Sequence, residues 1–224
     1  MDRKMIVTID GPAGSGKSTI ANLLAKKLQI PFLDTGAMYR SIAVYVQKNG
    51  WAGQANLVID HLPLIEIRFD WTRDPPTVLL NQQDVSAEIR SPEITALTSQ
   101  VACLDEVRAY LVSQQQAIGR HFGSLVTEGR DQGSVVFPGA EYKFYLDADV
   151  NERAARRVAQ FARAGVTASL EQVREDMQRR DNADLARRVG PLARPVDALV
   201  VDTTHMTIAE VVAHLAAHIE RKAV

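Results

Sequence analysis

Gly11-Pro12-Ala13-Gly14-Ser15-Gly16-Lys17-Ser18-Thr19 is the stretch whose reading decides the fold. The apolar run Met5-Ile6-Val7-Thr8-Ile9-Asp10 precedes it, and an amphipathic run from Ile20 to Leu28 follows. Strand, glycine-rich loop, helix is the order that a phosphate-binding loop requires. The pattern G-x-x-x-x-G-K-[ST] is met by Gly11, Gly16, Lys17 and Ser18. At average composition it arises by chance in roughly one chain in a hundred of this length, so the flanking strand and helix give the match its weight. Glycines let backbone N–H groups turn inward around phosphate oxygens, and the helix N-terminus adds partial positive charge. Lys17 is placed to reach the β- and γ-phosphates and the Ser18 hydroxyl to sit on Mg²⁺. The loop does not say where a phosphoryl group goes. GTPases, ATPase motors and small-molecule kinases all carry it.

Outward from the loop, four more apolar runs read as buried parallel strands: Pro31–Leu33, Leu125–Thr127, Tyr142–Leu146 and Ala198–Val201. Helical patterns separate them, which predicts a doubly wound α/β fold with a five-stranded parallel sheet. Ligands bind beyond the carboxyl ends of such strands, and each run here is followed by chemically capable residues. These are Asp34-Thr35-Gly36-Ala37-Met38-Tyr39-Arg40, Glu128-Gly129-Arg130-Asp131, the trio Asp147, Asp149 and Arg153, and Asp202-Thr203-Thr204.

Two stretches break the alternation. Ile65–Phe69 and Thr77–Leu80 alternate in polarity, with turns read at Arg73–Pro76 and Asn81–Asp84, which predicts a small antiparallel insert over about 64–90. The second break, 151–188, is helical and rich in arginine and reads as a lid. Arg153, Arg156 and Arg157 share a helix face by spacing, as do Arg180, Asp184 and Arg187. Charge runs are often solvated faces with i, i+4 ion pairs. Here the arginines follow a strand end, and the planar guanidinium suits phosphate. Arg40 and Arg130 could hold an acceptor phosphate. Asp131 could accept from the amino group of cytosine, where uracil would present a repelling oxygen. No dedicated general base is evident, and an anionic phosphate acceptor needs none.

The 224 residues suit one or two domains, with 46% hydrophobic and 24% charged residues and a net charge of -1. That balance gives no global case for nucleic-acid binding. No run approaches the ~18 apolar residues of a membrane span, and the run ending at Asp10 is too short for a signal-peptide core. The single cysteine, Cys103, excludes an internal disulfide, fits a reducing cytosol and is expected in the core of a helix. Thr207-x-x-Glu210 is a capping box that opens the last helix. His214 and His218 fall at the flank of that helix's apolar stripe, on a solvated face. The chain lacks the Asn-Lys-x-Asp guanine-reading motif and is short for a motor.

These motifs together resemble the bacterial cytidylate kinases, of the nucleoside monophosphate kinase group. The carriers are the loop, Asp34–Arg40, Glu128-Gly129-Arg130-Asp131-Gln132-Gly133-Ser134-Val135-Val136-Phe137-Pro138, Arg180-Asp181-x-x-Asp184-x-x-Arg187, Pro191-Leu192 and Asp197-Ala198-Leu199. The resemblance implies a core over 1–35, 100–150 and 189–224, a monophosphate-binding domain over 36–99 and a lid over 151–188. It implies transfer from ATP, with Mg²⁺, to CMP or dCMP. The chain is expected to be a cytoplasmic monomer with no stable nucleic-acid or membrane partner. Gly11 to Thr19, with Arg153, Arg156 and Arg157, would serve ATP. Thr35, Arg40, Ser99, Arg108, Arg130, Asp131, Arg180, Asp184 and Arg187 would serve the acceptor, with Ser99, Arg108 and Asp131 at the base. Lys17, Arg130, Asp131, Arg156 and Arg157 would act at the reacting groups. Gln132 stands where the family usually has an apolar residue and Gly190 where it has alanine. A kinase for another small acceptor, such as shikimate or another nucleoside monophosphate, is the second reading. A nucleotide switch or nucleic-acid-binding regulator is the third.

Overall fold

The computed structural model describes residues 4–163 and 165–223. Five strands form one sheet: β1 (Ile6–Asp10), β2 (Phe32–Asp34), β6 (Leu125–Gly129), β7 (Tyr142–Asp147) and β8 (Leu199–Asp202), in the order β2-β6-β1-β7-β8. β1 pairs in parallel with β6 and β7, and β7 with β8. Val7, Thr8, Ile9 and Asp10 are fully buried, as befits a central parallel strand covered on both faces. All five predicted strands form, each within a residue or two of its expected bounds.

The chain leaves β1 through the loop into α1 (Lys17–Leu28), then returns to β2 on one side of β1, while β7 lies on the other. The carboxyl end of β1 is therefore a topological switch point, where open α/β sheets bind ligands. Ile20, Ala21, Leu24 and Ala25 form the buried stripe of α1, which packs with α8 (Ile208–Ala223) in a core with Val7, Ile9, Phe144, Leu146, Val201, Leu215 and Ile219. The capping box of α8 forms: the Thr207 N–H donates to the Glu210 carboxylate (2.8 Å), and the Glu210 N–H donates to the Thr207 hydroxyl (3.3 Å). His214 is exposed and His218 half-buried, edge-on to Phe144.

The chain forms two compact units, Met1–Leu33 with Gly119–Val224, and Asp34–Ile118. The second contains α2 (Thr35–Lys48), α3 (Ala55–His61), β3 (Ile67–Asp70), β4 (Thr77–Leu80), β5 (Gln83–Asp84), α4 (Pro92–Val101) and most of α5 (Asp105–Phe122). β3, β4 and β5 make the antiparallel insert, with Ile67 facing Leu80 and Phe69 facing Val78. The second turn is tighter than the sequence suggests. Asn81 and Gln82 alone have positive φ (46° and 69°), and Gln83 already pairs with Leu80, the two-residue hairpin form that matches strand twist.

Cys103 corrects its expectation. α4 ends at Val101, so the thiol is exposed in the connection to α5, donating to the Ser99 carbonyl at 3.2 Å. Among the described residues no helix is long and apolar enough to cross a membrane.

Candidate active site

Two glycines set the shape of the loop. A Cβ on Gly11 would lie 2.1 Å from the Leu146 carbonyl oxygen at the end of β7. A Cβ on Gly14 (φ 74°) would lie 2.2 Å from Cε of Met177 on α7 (Leu170–Leu185). The loop is therefore pressed between a strand end and a helix. Gly16 is the N-cap of α1 and no side chain caps the helix, whereas α2 is capped by Asp34, which accepts from the Ala37 N–H. First-turn N–H groups have no intrahelical acceptor, so an uncapped α1 offers Lys17, Ser18 and Thr19 N–H groups to an anion.

Lys17 is buried and its ammonium donates to the Pro12 carbonyl at 2.6 Å. Burial, reinforced by the Arg130 and Arg180 charges, lowers its pKa to about 7. Ser18 donates to the Glu128 carboxylate at 2.9 Å. Arg130 donates to Asp184 at 2.7 Å, and Arg187 pairs with the other oxygen of the same carboxylate. Burial works against the Arg130 charge, but the Asp184, Glu128 and Asp181 carboxylates outweigh it and raise the pKa. The Leu192 N–H donates to the Asp184 carbonyl and the Ala193 N–H to that of Arg130, so the segment after the lid braces this pair. Gly190, at φ 57°, adopts there the left-handed conformation that alanine resists.

Asp131 is buried at the mouth of a wide helical turn, Gln132–Val136. The turn is held by Asp10, which accepts from the Gln132 and Gly133 N–H groups at 2.8 Å each. Burial raises the Asp10 pKa to about 7. Gln132, unusual in its polarity, is satisfied because its side-chain oxygen accepts from the Thr127 hydroxyl at 2.9 Å.

The lid arginines, equivalent by spacing, go to different partners. On α6 (Val150–Arg163), Arg153 is buried and donates to the Ala148 and Ala13 carbonyls and to Asp181. Arg156 donates to the Thr203 and Thr204 carbonyls, and Arg157 to Gln160 while lying over the Phe161 ring. Arg180 is half-buried.

The second unit holds the remaining candidates. Arg40 pairs with Asp34 at 3.1 Å over Gly36, where a Cβ would crowd the guanidinium. Thr35 is buried in the first turn of α2. Arg108 is buried with its guanidinium 5.4 Å from the Tyr39 ring centroid. Ser99 is exposed on α4.

Sequence reasoning named Lys17, Ser18, Arg130, Asp184 and Arg187, and the fold brings these together in the first unit. It passed over Asp10, Glu128 and Asp181 as site residues. Asp10 is marked only by its place at the end of β1, whereas Glu128 stands among the capable residues after a strand and Asp181 within the Arg180–Arg187 motif, neither with a role assigned.

The cytidylate kinase family model matches residues 7–221. The chain is 42% identical over 210 residues to the cytidylate kinase of Salinibacter ruber, covering 92% of each chain. It is 43% identical over 215 residues to that of Leuconostoc mesenteroides subsp. mesenteroides, covering 96% of each. A gluconokinase structure from Sinorhizobium meliloti shares the fold at a TM-score of 0.50 and 17% identity, covering 100% of this chain and 95% of that one.

Proposed function

This chain belongs to the cytidylate kinase family and is a kinase of CMP and dCMP, and from that premise we propose how its residues divide the work. The ATP phosphates lie on Gly11–Thr19, held by loop N–H groups and the N-terminus of α1. Lys17 exchanges the Pro12 carbonyl for the β- and γ-phosphates. Mg²⁺ suits this place, because the Ser18 hydroxyl and Glu128 carboxylate, 2.9 Å apart, are the hard oxygen donors it prefers. Ser18 would hold it, and when bound it neutralises charge on the β- and γ-oxygens.

Thr35, Arg40, Ser99, Arg108, Arg130, Asp131, Arg180, Asp184 and Arg187 take the acceptor nucleotide. Arg40 and Arg130 hold its phosphate, and Asp131 accepts from the cytosine amino group. An acceptor phosphate oxygen forms a bond to the γ-phosphorus of ATP as the bond to the β,γ-bridging oxygen breaks, releasing ADP. Arg156 and Arg157 approach the transferring group as the lid, 151–188, closes and excludes water. Residues 36–99 act as the monophosphate-binding domain. The enzyme works as a cytoplasmic monomer without a stable nucleic-acid or membrane partner; its net charge of -1 gives no basic footprint for nucleic acid.

The observation that carries this division is the loop itself: α1 starts without a side-chain cap, and behind its first turn the buried Lys17 donates to the Pro12 carbonyl of the same loop. Uncapped first-turn N–H groups and a buried ammonium favour an anion at that place, and the phosphates of a transfer reaction supply one. Purified protein with ATP and Mg²⁺ should phosphorylate CMP and dCMP far better than UMP, AMP or shikimate. A preference for AMP, or no CDP formed, would overturn the assignment.

A further inference from the structure

We propose that Arg153 and Asp181 are positioning residues for ATP: together they fix the two peptide units that flank Ala13 in the phosphate loop and make ATP affinity depend on the helices that carry them. The proposal rests on the reading that Gly11–Thr19 binds the ATP phosphates.

The Ala13 N–H donates to one oxygen of Asp181 at 2.9 Å. Its carbonyl accepts from Arg153 at 2.8 Å. The same Arg153 nitrogen donates to the other Asp181 oxygen at 2.6 Å, and its Nε to the Ala148 carbonyl at 3.0 Å. Both polar groups on Ala13 thus end on a single buried ion pair, one partner from α6 and one from α7. The side chains of Arg153 and Asp181 are only 9% and 11% exposed. The apolar contacts agree, for Ala13 packs with Ala154, Val173 and Met177, and Met177 fills the space above Gly14.

The direction of the Ala13 N–H matters. In a phosphate cradle each N–H either faces the anion or must be satisfied elsewhere. Asp181 satisfies this one, and Arg153 holds the carbonyl that would repel a phosphate. Without the pair, the two peptide units that flank Ala13 lose their anchors, and a loop carbonyl that turns inward repels an incoming phosphate. Arg153 therefore acts on ATP through the loop and not by touching it.

Asp181→Asn keeps the shape but sets an amide N–H against either Arg153 or the Ala13 N–H. Arg153→Lys keeps the charge but cannot span Ala148, Ala13 and Asp181 at once. Calorimetric titration of the full chain with ATP·Mg²⁺, and separately with CMP, reads the two affinities. Each single variant should weaken ATP about tenfold, near the worth of one charged hydrogen bond, with CMP affinity within about twofold of the unaltered protein. The double variant should be no more than about threefold weaker than the worse single one, because the pair acts as a unit.

A loss of ATP affinity below about threefold in both singles, equal losses of ATP and CMP, or losses that multiply in the double variant would each overturn the proposal. If Asp181→Asn does not fold, Arg153→Lys carries the same test. Lys17→Met separates the premises. Unchanged ATP affinity there would sink the reading of the loop itself. A loss with Lys17→Met and none with the pair variants would sink only the positioning role.

Discussion

Gly11→Ala tests whether the fold of the loop is dictated by its packing against β7. The added Cβ would sit 2.1 Å from the Leu146 carbonyl oxygen and 3.1 Å from its carbon. A carbon and a carbonyl oxygen in contact need about 3.3 Å, so about 1.2 Å must be found. Neither side has a rotamer to change. The obstacle is main chain at the end of β7, and β1 and β7 are paired up to Asp10 and Tyr145. The loop must therefore move as a body. Displacement of about 1 Å at a reacting centre lowers activity on the order of 10²-fold, and forced repacking costs about 1–3 kcal/mol of stability. Gly50→Ala is the control. Gly50 also has positive φ, 70°, but nothing lies within 4 Å of its Cβ position, so only the left-handed conformation costs, about 1–2 kcal/mol. Urea denaturation and kcat/KM for ATP at saturating CMP separate the effects. Gly11→Ala should lose about 10²-fold in kcat/KM, while Gly50→Ala stays within about twofold. The reasoning fails if Gly11→Ala retains more than about a tenth of the activity, or if the two variants behave alike in both measurements.

Three further outcomes follow from the same geometry. Lys17 has a pKa near 7 in the free protein, and phosphate oxygens favour its charged form, so ATP binding above pH 7 takes up a proton and affinity falls as pH rises. Calorimetry at pH 8 in buffers of different ionisation enthalpy should show uptake approaching one proton that Lys17→Met abolishes; equal uptake in both proteins refutes it. Asp184→Ala strips the shared carboxylate from Arg130 and Arg187, which should cost about 3–5 kcal/mol. Inorganic phosphate should then raise the melting temperature more in the variant than in the parent, and a loss below about 1 kcal/mol in denaturant would argue against a shared pair. Gln82→Gly relieves a φ of 69° in an exposed turn and should raise stability by about 0.5–1 kcal/mol, read as a higher urea midpoint. A lower midpoint would count against the hairpin geometry.

Much of this protein is legible in its sequence because local physics governs those parts. β1 and β6 read plainly because a parallel strand buried on both faces tolerates few polar side chains, and the outer strands are short apolar runs that stay partly exposed, Val200 of β8 among them. The loop announces itself because glycines and a lysine at this spacing between strand and helix are the pattern of a phosphate-binding loop, and Thr207 with Glu210 marks a helix start through bonds within four residues. Cys103 was misplaced because apolarity along a chain does not reveal that a helix stops at Val101. Tertiary structure alone decided the pairings over long separations. Asp10 reaches the turn after Asp131 because β1 and β6 are neighbours in register, Asp10 beside Gly129. Arg153, Arg156 and Arg157 have like spacing and unlike partners, since Arg153 meets Ala13 and Arg156 meets Thr203, 140 and 47 residues away, while Arg157 turns to Gln160 and Phe161 on its own helix. Spacing puts side chains on a face. Only the folded chain determines which carbonyl or carboxylate stands before them, and hence which arginine is left to meet a phosphate.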